Sequence, residues 1–161
     1  MEIERRWLVE TWPDLKPAST FFMEQGYFLT HPAIRIRQEA LQGGNTAYVL
    51  CFKGGAGLVR EEIEVEVDQD RYQRLRTMIG KPMIQKEQRR YSLPGGLTLE
   101  VNSVDPQLET GFFYAEVEFP GEAAARAWVP PGAWASYLSR ETTGQPGESM
   151  AAYWSRTRPQ P

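Results

Sequence analysis

Met1-Glu2-Ile3-Glu4-Arg5-Arg6-Trp7-Leu8-Val9-Glu10 opens the chain and decides how its fold is interpreted. In an extended strand, alternate side chains point to opposite faces. Glu2, Glu4 and Arg6 therefore share one face, and the residues between them share the other. A row of two carboxylates and one guanidinium faces either bulk water or something charged, and the rest of the chain decides between these alternatives.

The composition is ordinary for a globular protein. The chain has 161 residues, of which 41% are hydrophobic and 24% charged, with a formal net charge of −3. We expect one domain over residues 1–161, with neither a nucleic-acid polymer nor a membrane as partner, because there is no basic excess and no long apolar run. The acidic residues and arginines from residue 2 onward do not fit a signal peptide.

One cysteine and one histidine limit the chemistry further. Cys51 has no second cysteine to pair with, which favours a reducing, cytoplasmic setting and an inert buried thiol. His31 is the single histidine, so a histidine-based metal site or nucleophile system is nearly excluded. The sequence leaves the oligomeric state open between a monomer and a homodimer.

Alternating runs predict an antiparallel, β-rich α+β protein. After the opening strand, strands are expected at 21–29, 33–39, 47–53, 58–67, 84–93, 97–101 and 112–119. The clearest helix begins after Asp68, a good N-cap, and ends at Gly80. Shorter helices are expected at 121–128, 134–138 and 149–154. The glycine run at 54–57 is typical of a hairpin turn, since no Gly-Lys-Ser/Thr follows it as in a phosphate loop.

Charged residues alternate with apolar ones on six of these strands. A single charged strand face is usually the wet side of a sheet, but six such faces suggest a closed antiparallel sheet with a polar interior and helices packed outside. The opposite faces carry apolar side chains expected to pack under the helices: Ile3, Trp7, Ile34, Ile36, Leu50, Phe52, Ile63, Val65, Val117 and Phe119.

A tube lined by both acids and bases needs ligands that compensate the charges. Clustered carboxylates take up protons unless a cation lies among them, and oxygen-only ligands favour a hard ion, Mg²⁺ or Mn²⁺. Rows of arginine and lysine suit a linear polyphosphate. A metal-bound polyphosphate would satisfy both sets.

These residues resemble the CYTH superfamily, the triphosphate tunnel metalloenzymes. Glu2-x-Glu4-x-Arg6 is similar to its ExExK signature, and the later motifs follow in order: Arg35-x-Arg37, Lys53, Arg60-x-Glu62-x-Glu64, Arg90-Tyr91 and Glu116-x-Glu118. The resemblance covers about residues 1–120. It implies a closed eight-stranded antiparallel tunnel that binds a triphosphate small molecule and a divalent cation. The short bacterial type implies hydrolysis of inorganic tripolyphosphate; thiamine triphosphatase, nucleoside triphosphatase, adenylate cyclase and a non-catalytic polyphosphate- or nucleotide-binding module stay open as alternatives.

The resemblance also implies roles for individual residues. Metal-holding acids are Glu2, Glu4, Glu62, Glu64, Glu116 and Glu118; phosphate-holding bases are Arg6, Arg35, Arg37, Lys53, Arg60 and Arg90. Glu2, Glu4 and Lys53 are the predicted catalytic residues, and Glu100 is a further candidate.

The chain departs from the family pattern at three places. Arg6 stands where the signature has lysine and cannot act as an acid. Gln88 stands where the family has a lysine, and Lys86 on the same strand face is a candidate to replace it. The Tyr-x-Asn element expected after Thr142-Thr143 is missing.

Overall fold

The computed structural model describes residues 1–158, which form nine strands and four α-helices. The strands are β1 (Glu2–Val9), β2 (Ser19–Thr30), β3 (Ala33–Leu41), β4 (Thr46–Gly54), β5 (Val59–Glu66), β6 (Ile84–Ser92), β7 (Thr98–Val104), β8 (Phe112–Glu118) and β9 (Arg140–Glu141). The helices are α1 (Gln69–Ile79), α2 (Glu122–Ala127), α3 (Trp134–Tyr137) and α4 (Met150–Thr157). None of the helices in this part of the chain is long and apolar enough to cross a membrane.

Eight strands close into an antiparallel barrel. They follow the order β5-β4-β3-β2-β6-β7-β8-β1, and β1 returns to β5 through the pairs Glu2↔Arg60 and Ile3↔Val59. The predicted closed eight-stranded barrel is confirmed. The two-residue strand β9, which was not predicted, pairs with Trp7 and Leu8 of β1.

The register brings the charged rows together inside the barrel. Glu4 lies opposite Glu118, Arg6 opposite Glu116 and Lys53 opposite Glu62. Since side chains alternate between the two faces, each inward charge leaves its neighbours pointing outward. Much of the apolar core therefore lies outside the barrel wall, where Trp7, Leu99 and Val117 pack with residues of and around α2 and α3.

Helix α1 forms where its end signals predicted it. The side chain of Asp68 accepts a hydrogen bond from the backbone N–H of Arg71 at 2.8 Å, and Gly80 ends the helix in the left-handed conformation at φ 64°. Tyr72, fully buried, packs against Ile36 on the outer face of β3.

Helix α4 packs into one end of the barrel. Ser149 caps it by accepting a hydrogen bond from Ala152 N at 3.1 Å. Trp154 and Met150, both buried, pack in one cluster with Tyr27 and Tyr114 of the barrel wall. Helix α4 follows the stretch after Thr142-Thr143 in which the Tyr-x-Asn element is missing. It thus forms a plug at this end of the barrel.

Part of the outer surface stays uncovered, contrary to expectation. Phe52, Ile63 and Val65 are 40%, 55% and 46% exposed, so the prediction that they pack under helices is wrong. The reason is helix placement: α1 packs on β2, β3 and β4, and its apolar face does not reach the outer face of β5.

Candidate active site

The barrel encloses a charged cavity of about 330 Å³. All the acids and bases singled out from the sequence line it: Glu2, Glu4, Arg6, Arg35, Arg37, Lys53, Arg60, Glu62, Glu64, Lys86, Arg90, Glu100, Glu116 and Glu118. Seven barrel strands contribute them, so the cavity exists only when the sheet closes.

Lys53 contacts three carboxylates of the cavity, which together form its acidic wall: Glu2, Glu4 and Glu62. Its Nζ is 2.6 Å from Glu2 Oε1, 3.5 Å from Glu62 Oε2 and 3.8 Å from Glu4 Oε1. Burial alone would lower the pKa of this ammonium, but the carboxylates of Glu4 and Glu2 outweigh it and raise the pKa. Lys53 is therefore a firmly charged cation.

Glu4 and Glu116 form a coupled pair of carboxyl groups. Burial raises the pKa of Glu4 well above its usual range, and the nearby Glu116 raises it further. Burial opposes ionisation of Glu116 as well, but a hydrogen bond from Glu4 and the charge of Arg6 lower its pKa to about 2. The two carboxyl groups therefore lose their protons in separate steps, because each affects the ionisation of the other.

The acids fit a hard divalent cation. Glu2 Oε1 and Glu62 Oε2 are fully buried, and neither accepts a hydrogen bond of good geometry although both lie near Lys53. Carboxylate oxygens are the ligands that Mg²⁺ and Mn²⁺ prefer. These two buried oxygens therefore fit such an ion.

Cys51 also faces the acidic wall. Its Sγ lies within 4.8 Å of ligand oxygens of Glu62 and Glu64, in the one cluster of three ligating groups this close within residues 1–158. The thiol is buried, as expected from the sequence, and burial raises its pKa. A protonated thiol is a poor metal ligand, so it adds little to the carboxylates.

Arginines on the cavity wall carry N–H groups that have no acceptor. The buried atoms without a hydrogen-bond partner include Arg6 Nε and Nη2 and the Nε atoms of Arg35, Arg37 and Arg60. Buried N–H donors are almost always paired in folded proteins. Unpaired donors on four guanidiniums around one cavity indicate that an oxyanion completes the site.

Sequence reasoning did not single out several other lining residues. Tyr27, Glu39 and Tyr114 face the cavity, and Arg37 Nη2 lies 2.5 Å from Glu39 Oε1. Their signal was available, because Glu39 and Tyr114 are each two residues from a predicted site residue on the same strand face. Ser149 and Met150 of the α4 plug had no such signal, since they come from outside the barrel.

A second cavity of about 660 Å³ adjoins the first and shares Glu4, Arg6, Lys53 and Arg60 with it. Its remaining wall comes from residues 30–33, from two loops at residues 55–57 and 142–149, and from Ala151 and Ala152 of α4. No Phe, Tyr or Trp is among the described residues that line it.

The chain is similar to known proteins over most of its length, although no family model matches it. An inorganic triphosphatase of Nitrosomonas europaea is 34% identical over 130 residues, which cover 81% of this chain and 83% of that protein. The crystal structure of an inorganic triphosphatase superposes with a TM-score of 0.62 at 27% identity, covering 95% of this chain and 93% of the other.

More distant structures share the fold alone. A protein from Pyrococcus horikoshii has a TM-score of 0.57 at 21% identity and covers 78% of this chain and 82% of its own. A Hippeastrum protein described as a putative adenylyl cyclase with a dominant triphosphatase activity has a TM-score of 0.50 at 19% identity, covering 78% of this chain and 83% of its own.

A closed eight-stranded barrel with a charged interior defines a triphosphate tunnel protein of the CYTH superfamily. Within that class, the 34% identity to the Nitrosomonas europaea protein over most of both chains shows the particular family. The chain belongs to the inorganic triphosphatase family.

Proposed function

We propose that this protein hydrolyses inorganic tripolyphosphate to diphosphate and phosphate inside its tunnel, with Mg²⁺ or Mn²⁺ as cofactor. The observation that carries the proposal is the set of unpaired buried N–H groups on Arg6, Arg35, Arg37 and Arg60, which face buried carboxylates across one cavity. A polyphosphate with a bound cation supplies acceptors to the arginines and positive charge to the carboxylates in a single ligand.

In this proposal the basic side chains bind the phosphate and the acidic side chains bind the cation. Arg6, Arg35, Arg37, Lys53, Arg60 and Arg90 hold phosphate oxygens, and Glu2, Glu4, Glu62, Glu64, Glu116 and Glu118 hold the cation. When bound, the cation neutralises phosphate oxygens and makes the phosphorus easier to attack.

The protein groups supply the rest of the chemistry. A carboxylate of the Glu2/Glu4 pair orients a water molecule for in-line attack on a terminal phosphorus and accepts its proton. Lys53 stabilises negative charge on the departing diphosphate, because its neighbours keep it protonated. The guanidiniums stabilise the charge on the transferring group.

The shape of the site favours an inorganic substrate over its organic relatives. A thiamine or nucleoside group attached to the triphosphate would extend beyond the tunnel, and the adjoining cavity offers no described Phe, Tyr or Trp to stack on its ring. Tripolyphosphate needs no such contact. We also infer a cytoplasmic location, because the chain has one cysteine and therefore no internal disulfide.

Phosphate release from tripolyphosphate, ATP and thiamine triphosphate, each with Mg²⁺, with Mn²⁺ and with chelator, tests the proposal. We expect the highest kcat/KM for tripolyphosphate and no turnover with chelator. Binding without phosphate release would indicate a non-catalytic sensor, and cyclic AMP with diphosphate from ATP would indicate a cyclase.

Glu4→Gln tests the role of the carboxylate. It should lower kcat by roughly 10²–10⁴-fold, the usual contribution of a general base, while the circular dichroism spectrum stays unchanged. Glu10→Gln, at an exposed position directly after β1, is the matched control. Turnover by Glu4→Gln close to that of the wild type would remove this carboxylate from the mechanism.

A further inference from the structure

Lys86 is a buried cation with few partners. It points from β6 into the tunnel, and its residue is only 5% exposed. Its Nζ donates a hydrogen bond to the hydroxyl of Tyr114 at 3.0 Å, and no ion pair within residues 1–158 includes it. An ammonium group has three donors, so this single neutral acceptor leaves most of its hydrogen-bonding capacity unused.

The surroundings of Lys86 do not supply a counter-charge in contact with it. Burial, followed by the positive charges of Arg37 and Arg35, lowers the pKa of Lys86 to about 7, and the more weakly acting Glu116 and Glu100 do not offset them. A buried charge without a partner is costly in a folded protein. The position therefore calls for an anion that the chain itself does not provide.

The next inward residue along the same strand cannot take this role. Gln88 is neutral, and both ends of its amide are occupied: Nε2 donates to Asn102 Oδ1 at 2.9 Å, and Oε1 accepts from Arg90 Nε at 2.9 Å. The lysine of this strand face therefore stands at position 86, two residues or roughly 6.6 Å along the strand from Gln88.

Lys86 therefore lies nearer than Gln88 to the end of the tunnel where α4 packs. Ile84, the residue two positions further along β6, packs in the cluster that holds α4, and so does Tyr114, the partner of Lys86. Gln88 and Arg90 lie progressively further along the strand from this plug.

We propose that Lys86 is a phosphate ligand that holds one terminal phosphate of the substrate at the end of the tunnel where α4 packs. The inference rests on the proposed function, because it requires a polyphosphate in the tunnel. Lys86 contacts phosphate oxygens through the donors that Tyr114 does not use, and it fixes how far the chain of phosphates enters. The bound anion in turn keeps the ammonium protonated.

The experiment measures KM and kcat for tripolyphosphate with Mg²⁺ in the wild type, in Lys86→Gln and in the relocation variant K86Q/Q88K. Loss of a charge-assisted hydrogen bond should raise KM about 10- to 100-fold in Lys86→Gln, with a smaller change in kcat. The relocation variant should recover part of this loss, because it returns a cation to the same wall. Lys16→Gln, at an exposed position, is the control and should match the wild type.

The outcomes separate this inference from the proposed function. A KM for Lys86→Gln within two-fold of the wild type overturns the role of Lys86 and leaves the triphosphatase proposal standing. A wild-type protein that does not hydrolyse tripolyphosphate overturns both. Thermal unfolding without ligand checks that Lys86→Gln folds, and Lys86→Met, measured in the same way, is the second variant.

Discussion

Lys53 Nζ lies 2.6 Å from Glu2 Oε1, a contact that joins β4 to the first strand across the seam where the barrel closes. The pairing between β1 and β5 at this seam is short, with Glu2 and Ile3 as the paired residues of β1. The same ammonium approaches Glu62 at 3.5 Å. Lys53 therefore compensates acids from two strands at the seam, and this explains how a wall of carboxylates is tolerated before a ligand enters.

Lys53→Met should remove both this compensation and a stabilising charge at the leaving diphosphate. We expect kcat for tripolyphosphate to fall by roughly 10²–10³-fold, as when one electrostatic donor is removed from an active site. Steady-state phosphate release is the measurement. Lys16→Met, which removes an exposed lysine, should leave kcat unchanged. A kcat for Lys53→Met within three-fold of the wild type would contradict the role of Lys53 at the leaving group.

Arg158→Met should destabilise the fold through the anchor of α4. Arg158 Nη1 donates to Asp105 Oδ2 at 2.8 Å, and both side chains are buried. Removing one partner of a buried ion pair leaves the other uncompensated and costs roughly 3–5 kcal/mol. Denaturant unfolding measures the loss.

Arg156→Met is the control for that variant. Arg156 is exposed and donates to the backbone oxygen of Gly147, so its loss should change the unfolding free energy by less than about 1 kcal/mol. Equal effects of the two variants would show that α4 is not held by the buried pair.

Gly111→Ala should destabilise the connection between β7 and β8. A Cβ at this position would lie 2.9 Å from Val104 O and 3.1 Å from the carbonyl carbon of Asp105, both backbone atoms that cannot rotate away. Overpacking of this kind typically costs about 1–3 kcal/mol. Gly121→Ala is the matched control, because nothing lies within 4 Å of its Cβ position and its φ is −163°. Unfolding free energies of the two variants that agree within error would contradict the clash.

The barrel and its charged lining could be predicted because their causes are local. Alternation of charge with a period of two puts Arg35 and Arg37 on one face whatever lies elsewhere in the chain, and a cap at Asp68 with a stop at Gly80 defines α1. Closure itself was inferred from the repetition of that alternation on many strands.

Features that depend on distant partners could not be predicted in the same way. Asp105 and Arg158 are 53 residues apart, and nothing in the local sequence of either indicates that they meet. Likewise, the exposure of Ile63 follows from where α1 packs, not from the apolar pattern of β5. The pairing of β9 with Trp7 and Leu8 involves two residues, too few to give a periodic signal.

Lys86 should make the stability of the ligand-free protein depend on pH. Burial and the facing guanidiniums of Arg37 and Arg35 lower the pKa of Lys86 to about 7 from an ordinary 10.5, against the weaker opposite effect of Glu116 and Glu100. Between these two values the unfolded chain binds a proton at Lys86 that the folded protein lacks, so this residue makes unfolding free energy rise with pH. Below about pH 7 both states are protonated, and the folded protein bears the full cost of the buried charge.

Lys86→Met should therefore be more stable than the wild type below pH 7, and its advantage should shrink as the pH rises from 7 toward 10. Denaturant unfolding at pH 6, 7, 8 and 9, in buffers free of phosphate so that no anion enters the tunnel, measures the difference. Lys16→Met should give a difference that does not change with pH, because that ammonium is exposed in the folded protein. A constant difference between Lys86→Met and the wild type over this range would mean that the ammonium of Lys86 already has its counter-charge without a ligand.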